Sequence, residues 1–224
     1  MAAAGHRSHD RAIGSEAFAT QAVGDMSAHY GSIAFTDDVR DVQTHYGSRG
    51  IYARVESRAA ATPGPDPLTE TERDFLADRD GFYLATVGET GWPYVQYRGG
   101  PPGFLRVLDE HTLGWADFRG NLQYISAGNI AGDGRVSLFV MDYAHRRRLK
   151  LFGLARVVEA AAEPELIGRL ADAGYDAVVE RGVLVSVEAF DWNCPQHITR
   201  RFTAAEIEAL VPGRASADAE DCCP

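Results

Sequence analysis

From Gly81 onward the chain is cut into short runs of aromatic and β-branched residues, each closed by Gly, Pro, Asp or Glu. The runs Gly81–Val87, Pro93–Arg98, Phe104–Leu108 and Thr112–Asp117 are separated by segments such as VGETGWP and VLDEHT. None of these runs reaches helical length, so the spacing predicts an antiparallel β-meander with tight turns. Asn121–Ile130 interrupts it with Leu122, Ile125 and Ile130 at helical spacing. After Asp133–Gly134, strands are expected at Arg135–Asp142 and Arg148–Glu159, a helix at Pro164–Ala173 and a strand at Val183–Phe190. A final helix is expected at Thr203–Val211, where Thr203 and Glu206 form a capping box. Six or seven strands with sparse helices in this space read as a mainly β fold, a closed or nearly closed antiparallel barrel with flanking helices.

Upstream, residues 1–35 show no sustained apolar period and read as a loose arm, ordered only against a partner subunit. A helix is expected at 37–46, with Val39, Val42 and Tyr46 on one face and Asp37 or Asp38 as its cap. Ala59–Pro67 is a Pro/Gly-rich linker. Thr69 and Glu72 make a capping-box pattern that opens a helix to about Asp78. The organisation is therefore an N-terminal arm with a short helix and linker (1–68), a core domain (69–212) and a flexible acidic tail (213–224).

The 224 residues carry a net charge of −10, which argues against general nucleic-acid binding. No apolar run has the length of a membrane span or the flanks of a signal peptide. Three cysteines, two adjacent at 222 and 223, form neither a disulfide framework nor a zinc pattern, and a reducing cytoplasm is the simplest setting. The seven histidines are scattered, without metal-binding spacing. Only one lysine, Lys150, stands beside 21 arginines.

Four segments could carry chemistry. In Asp117-Phe118-Arg119-Gly120-Asn121-Leu122-Gln123-Tyr124, at a strand-to-helix join, Arg119, Asn121 and Gln123 supply donors near a helix N-terminus and Gly120 lets a ligand approach the backbone. The same residues are equally those of a helix capped by Asn121 with a solvated arginine. In His145–Lys150, alternation puts Arg146, Arg148 and Lys150 on one strand face and Arg147 on the other. Such a run is either a solvated hairpin end or an anion site, since consecutive arginines repel one another. Gln96, Tyr97 and Arg98 lead into a Gly/Pro turn that is structural by default. Trp192, Asn193, Gln196 and His197 after the last strand could stack on a ring and bond its polar edge; Cys194 there reads as a small packing residue.

Taken in this order, DFRGNLQYIS (117–126), RRRLKLFGLARV (146–157) and WNCPQHI (192–198) resemble the FMN-binding relatives of pyridoxamine 5′-phosphate oxidase, over roughly Thr69 to Phe202. The resemblance implies a split β-barrel that dimerises and holds FMN between two subunits. It places Arg119, Asn121 and Gln123 at the phosphate or ribityl end, with Asp117, Phe118, Gly120 and Tyr124 around them. The family's Arg-Gln-Val-Arg-x-x-Gly strand matches Arg147 to Gly153, so that Arg148, with Arg147 and Lys150 beside it, reaches the cofactor from the partner subunit. Gln96, Tyr97 and Arg98 would lie along the flavin, and Trp192, Asn193, Gln196 and His197 near its ring or rim. The chain lacks the oxidase's Arg-Leu-His-Asp-Arg-like motif and its first phosphate-side lysine, so the resemblance is to relatives of the oxidase and not to the oxidase proper.

The function this implies is a flavin-mediated hydride or electron transfer to a small molecule, with NADH or NADPH as a candidate donor. Alternatives are an F420-dependent reductase, a non-catalytic flavin-binding module, and a scaffold whose arginines bind an acidic partner.

Overall fold

The structure is a computed structural model that describes residues 27–59, 64–192 and 195–210. Its elements run α1 (Ala28–Ala34), α2 (Asp37–His45), α3 (Arg49–Ala59), α4 (Glu70–Ala77), β1 (Gly81–Val87), β2 (Pro93–Gly99), β3 (Arg106–Val107), β4 (Thr112–Phe118), α5 (Ile125–Gly132), β5 (Arg135–Asp142), β6 (Arg147–Glu159), α6 (Pro164–Leu170), β7 (Val179–Trp192) and α7 (Ala204–Leu210). Among the described residues the seven strands form one antiparallel sheet in the order β2-β1-β5-β6-β7-β4-β3. This is the mainly β split barrel expected from the sequence.

Alternation explains the core. Phe82, Leu84 and Thr86 of β1 point inward, as do Val136, Leu138 and Val140 of β5 and Leu149 and Leu151 of β6. The sheet curls until opposite sides meet inside it: Phe82 of β1 packs edge-to-face on Trp115 of β4 with ring centroids 5.1 Å apart. Strand β4 is buried on both faces, because α6 covers its outer side. A Cβ at Gly114 would lie 2.7 Å from Leu184 and 2.8 Å from Leu170, so only glycine lets α6 sit this close. Gly153 marks a bulge in β6, where a Cβ would meet Val185 at 2.5 Å and the Ser186 carbonyl at 2.6 Å.

Several boundaries differ from expectation. The expected strand at Phe104–Leu108 is reduced to Arg106–Val107, because Phe104 and Leu105 are buried in the core before the strand begins. Strand β7 starts at Val179, four residues early, and α6 ends at Leu170. Residues 27–35 are not a loose arm: α1 packs on the outer sheet face, with Tyr30 stacked on Phe152 at 4.8 Å and the Lys150 ammonium 4.7 Å from the Tyr30 ring. Helix α2 is capped by Thr36, whose hydroxyl accepts the Val39 N–H, and not by Asp37 or Asp38. Its expected apolar face is largely exposed at Val42 and Tyr46. The next helix, α3, lacked a sequence signal; Glu56 ties it to α2 through Arg40 at 2.9 Å. Residues 1–26, 60–63, 193–194 and 211–224 lie outside the described residues, including most of the expected arm and all of the acidic tail. Among the described residues no helix is long and apolar enough to cross a membrane.

Glu72 joins the helical layer to the barrel. Its Oε2 accepts the Thr69 backbone N–H at 2.9 Å and the Thr69 hydroxyl, while its Oε1 accepts the Trp192 indole N–H at 2.7 Å. The carboxylate is buried, so each bond is made away from water. Glu72→Ala should destabilise the fold by about 2–3 kcal/mol in urea unfolding, through a lost cap and an unsatisfied indole N–H. A loss under about 0.5 kcal/mol would show that neither bond matters.

Candidate functional site

Strands β2 and β4 belong to opposite arms of the sheet order, yet their ends meet. Arg98 on β2 donates through Nη1 to Asp117 Oδ1 on β4 at 2.8 Å. Arg181 on β7 approaches Asp117 Oδ2 at 3.4 Å and pairs with Glu180, which also accepts Arg119 Nε at 2.8 Å. Three guanidinium groups and two carboxylates therefore form one alternating chain with a net positive charge. Arg181 also lies over the Tyr124 ring at 4.6 Å.

Above this chain the backbone turns sharply. Leu122 and Tyr124 both have left-handed φ, at 62° and 53°. Asn121 Oδ1 accepts the Gln123 N–H at 3.2 Å, which makes Asn121 a turn residue. It does not cap the helix: α5 begins at Ile125, with Tyr124 in the N-cap position. A Cβ added at Gly120 would meet no atom within 4 Å, so the backbone there is open to a ligand. Gln96 Oε1 accepts the buried Ser126 hydroxyl at 3.0 Å, and Asn129 donates to Thr86 at 2.9 Å; together these pin α5 to β2 and β1.

The resulting cleft is lined by Gln96, Arg98, Asp117, Phe118, Gly120, Asn121, Gln123 and Tyr124, all singled out from the sequence. Tyr94, Glu180 and Arg181 also line it and were not. The signal available for Glu180 and Arg181 was a charged pair just before the strand expected from Val183, in a segment not itself expected to be strand. Alternation gives the rest: Gln96 and Arg98 face the cleft, whereas Tyr97 lies across Gly81 and edge-on to Tyr83 at 5.5 Å. The enclosed volume is only about 50 Å³. Among the described residues no group of three His, Cys, Asp or Glu side chains could hold a metal ion.

A family model described as pyridoxamine 5′-phosphate oxidase matches residues 68–191, more than half of the 224. The chain belongs to the pyridoxamine 5′-phosphate oxidase family. No curated protein matches it. Among solved structures it is similar to HupZ of Group A Streptococcus, at 18% identity over 57% of this chain and 98% of that one, with a TM-score of 0.42. It is also similar to a pyridoxinephosphate oxidase family protein from Clostridium acetobutylicum related to general stress protein 26, at 14% identity over 61% and 94%, TM-score 0.40. An FMN-binding protein from Syntrophomonas wolfei shows 13% identity over 55% and 88%, TM-score 0.40.

The remaining expected residues of this family member sit elsewhere. Trp192 is the last residue of β7, eleven residues from Arg181 or roughly 36 Å along the strand, and Arg147 begins β6 beside that end. Trp192 is held by Glu72, packs edge-on to Phe75 at 4.7 Å and carries the Arg147 guanidinium 4.7 Å from its ring. Lys150 is paired with Asp191 at 2.7 Å. Arg148 stands opposite Met141 on β5, and its buried Nε has no hydrogen-bond partner among the described residues. Gln196 and His197 form an exposed turn, while Asn193 and Cys194 lie outside the described residues. Within one chain the structure thus does not bring the second and fourth segments to the cleft.

Two buried carboxylates titrate in opposite directions. Burial lifts Asp117 above the ordinary aspartate value, and Arg98 and Arg181 offset only part of that. For Asp142, burial is outweighed by the His145 backbone N–H, by Arg79 and by the His145 ring, so its carboxyl lies below the ordinary value. A raised group contributes stability below pH ~4 that is lost as pH climbs through its folded pKa; a lowered one contributes above pH ~4 and loses it as pH falls. Thermal melts from about pH 3 to about pH 7 should show the wild-type advantage over Asp142→Asn widening with pH and that over Asp117→Asn narrowing. Parallel curves for the two variants would refute the assignment.

Proposed function

We propose that this protein is an FMN-binding oxidoreductase that holds the phosphate end of the cofactor in the cleft between β2 and β4. The observation that carries this reading is the excess of guanidinium at an open backbone turn in a chain of net charge −10. Arg119 and Arg181 suit a phosphate, which can take the place Glu180 now fills between them. Arg98, fixed by Asp117, and Gln96, fixed by Ser126, offer positioned donors further along β2. Bound FMN would supply the redox chemistry itself, exchanging hydride or single electrons with a small-molecule substrate and a reductant such as NADH or NADPH.

The cleft also sets what one chain lacks. Its volume of about 50 Å³ is far below the several hundred that a cofactor pocket needs, so the ring must be covered by another surface. A homodimer supplies it, with Arg148 of the second copy reaching the cofactor. That arrangement gives a use to a guanidinium that is half-buried on a strand without a carboxylate partner among the described residues.

The test is the visible spectrum of the protein loaded with FMN and desalted. A retained, perturbed two-band flavin spectrum supports the reading; a colourless protein overturns it, and retention of F420 instead would assign the cleft to the deazaflavin. Flavin held tightly with no turnover by either nicotinamide would make the protein a binding module. Arg119→Ala and Arg148→Ala should each weaken FMN binding by about 1.5–3 kcal/mol, as for a lost charge-assisted bond. Glu180→Gln should act the other way and tighten FMN several-fold, because it removes the carboxylate that competes for Arg119 and Arg181. Weaker binding by Glu180→Gln would show that Glu180 positions these arginines and does not compete for them.

A further inference from the structure

Past Arg119 the cleft is bounded by the segment between α6 and β7. The Val178 carbonyl of that segment accepts the Arg119 backbone N–H at 2.8 Å, so the segment runs directly beside the open turn. Tyr175 packs on Phe118 of the cleft lining, with ring centroids 5.1 Å apart. Asp172 turns the chain here: its Oδ1 accepts the Gly174 N–H at 2.9 Å and its carbonyl accepts the Tyr175 N–H at 3.2 Å. These contacts hold the acids of the segment in place beside the cleft.

The charge on this wall has one sign. Residues 171–180 contain Asp172, Asp176 and Glu180 and no Lys, Arg or His. Asp172 meets Arg106 at 3.7 Å, and Glu180 meets Arg119 and Arg181. Asp176 is exposed and pairs with no cation among the described residues. On the other side of the cleft, residues 120–132 of the turn and α5 also contain no Lys, Arg or His. They present Leu122, Tyr124 and Ile125 to solvent instead. The next cation along the chain, Arg135, is bonded to Asp133. Beyond Arg119 and Arg181 these two segments therefore offer an anion carboxylates on one side, apolar groups on the other, and no answering charge.

We infer that the site selects a flavin that ends at its single phosphate, and that Asp176 and Asp172 turn away cofactors that continue past it with further anionic groups. This rests on the flavin reading and adds to it the residues that set the length of the cofactor. The phosphate of FMN is answered by Arg119 and Arg181. The adenylate half of FAD, or the glutamyl tail of F420, must continue either over Asp176 and Asp172 or over Leu122 and Ile125. The first path meets like charge, and the second strips water from anionic groups without giving them a partner. Glu180 acts on all three cofactors alike, because each carries the phosphate that displaces it. Selectivity therefore belongs to the two aspartates, which lie outside the cleft lining.

Equilibrium dialysis of the full-length protein against FMN, FAD and glutamyl-tailed F420 in turn tests this. FMN should bind about tenfold or more tighter than either of the others. Asp176→Lys, at an exposed turn position, should tighten FAD and F420 by about threefold or more and move FMN by less than about twofold. Asp172→Asn keeps the turn-forming oxygen and releases Arg106, so it should shift the preference in the same direction. The preference for FMN should also narrow between about 0.05 M and about 0.5 M salt, as screening weakens the repulsion. The inference is overturned by FAD or F420 binding as tightly as FMN, or by an Asp176→Lys variant that moves all three alike or none. A protein that holds FMN without preferring it loses this inference and keeps the flavin reading. One that holds none of the three loses the flavin reading and this inference with it.

Discussion

The ion pair between Arg98 and Asp117 joins two strands that share no hydrogen-bond ladder. The β2 and β4 ends would otherwise be separate arms of the sheet, and the contact at 2.8 Å fixes how far the barrel closes. A largely desolvated pair of this kind gives little net stability, because the cost of removing both charges from water offsets most of their attraction. What it supplies is registry. Asp117 also approaches Arg181 on β7, so three strand ends are held in one geometry, and the turn from Gly120 to Tyr124 is suspended over them.

The rest of the molecule supports that arrangement by ordinary packing. Phe82 and Trp115 meet across the interior in the row that carries Arg98, and α5 is tied to β1 and β2 through Thr86 and Gln96. At the opposite end of β7, Glu72 performs a matching task in reverse: one carboxylate caps a helix and anchors an indole, and its charge is used up in doing so. The barrel therefore has one region where carboxylates and guanidinium groups alternate and another where, among the described residues, Arg147 meets two aromatic rings and no carboxylate. Both contrast with the acidic balance of the whole chain.

Most of the strands were legible in the sequence because each side of the barrel faces a different medium. Alternation at Gly81–Val87 and Arg135–Asp142 reports that difference directly. The start of α5 was misplaced by four residues because Asn121 is as good a turn former as a helix cap, and the left-handed residues Leu122 and Tyr124 carry no glycine to mark them. Helix α3 escaped notice since much of its support comes from contacts with α1 and from the Glu56 ion pair with Arg40 of α2, neither of which is local. Arg181 was missed for a similar reason: a charge before an apolar run has no address until β7 is laid beside β4.

By itself the sequence determined the strand-rich core, its punctuation by glycine and proline, the capping boxes at Thr69 and Thr203, and the family, since each is written in contiguous residues. Tertiary structure alone decided which of the singled-out residues share a site. It brought Gln96, Arg98 and the 117–124 turn together with Arg181, and it carried Arg147 and Trp192 to the far end of a fourteen-residue strand. The physical reason is that a side chain's partners in a curled sheet are set by register and closure, and both depend on long-range pairing that no short window of sequence contains.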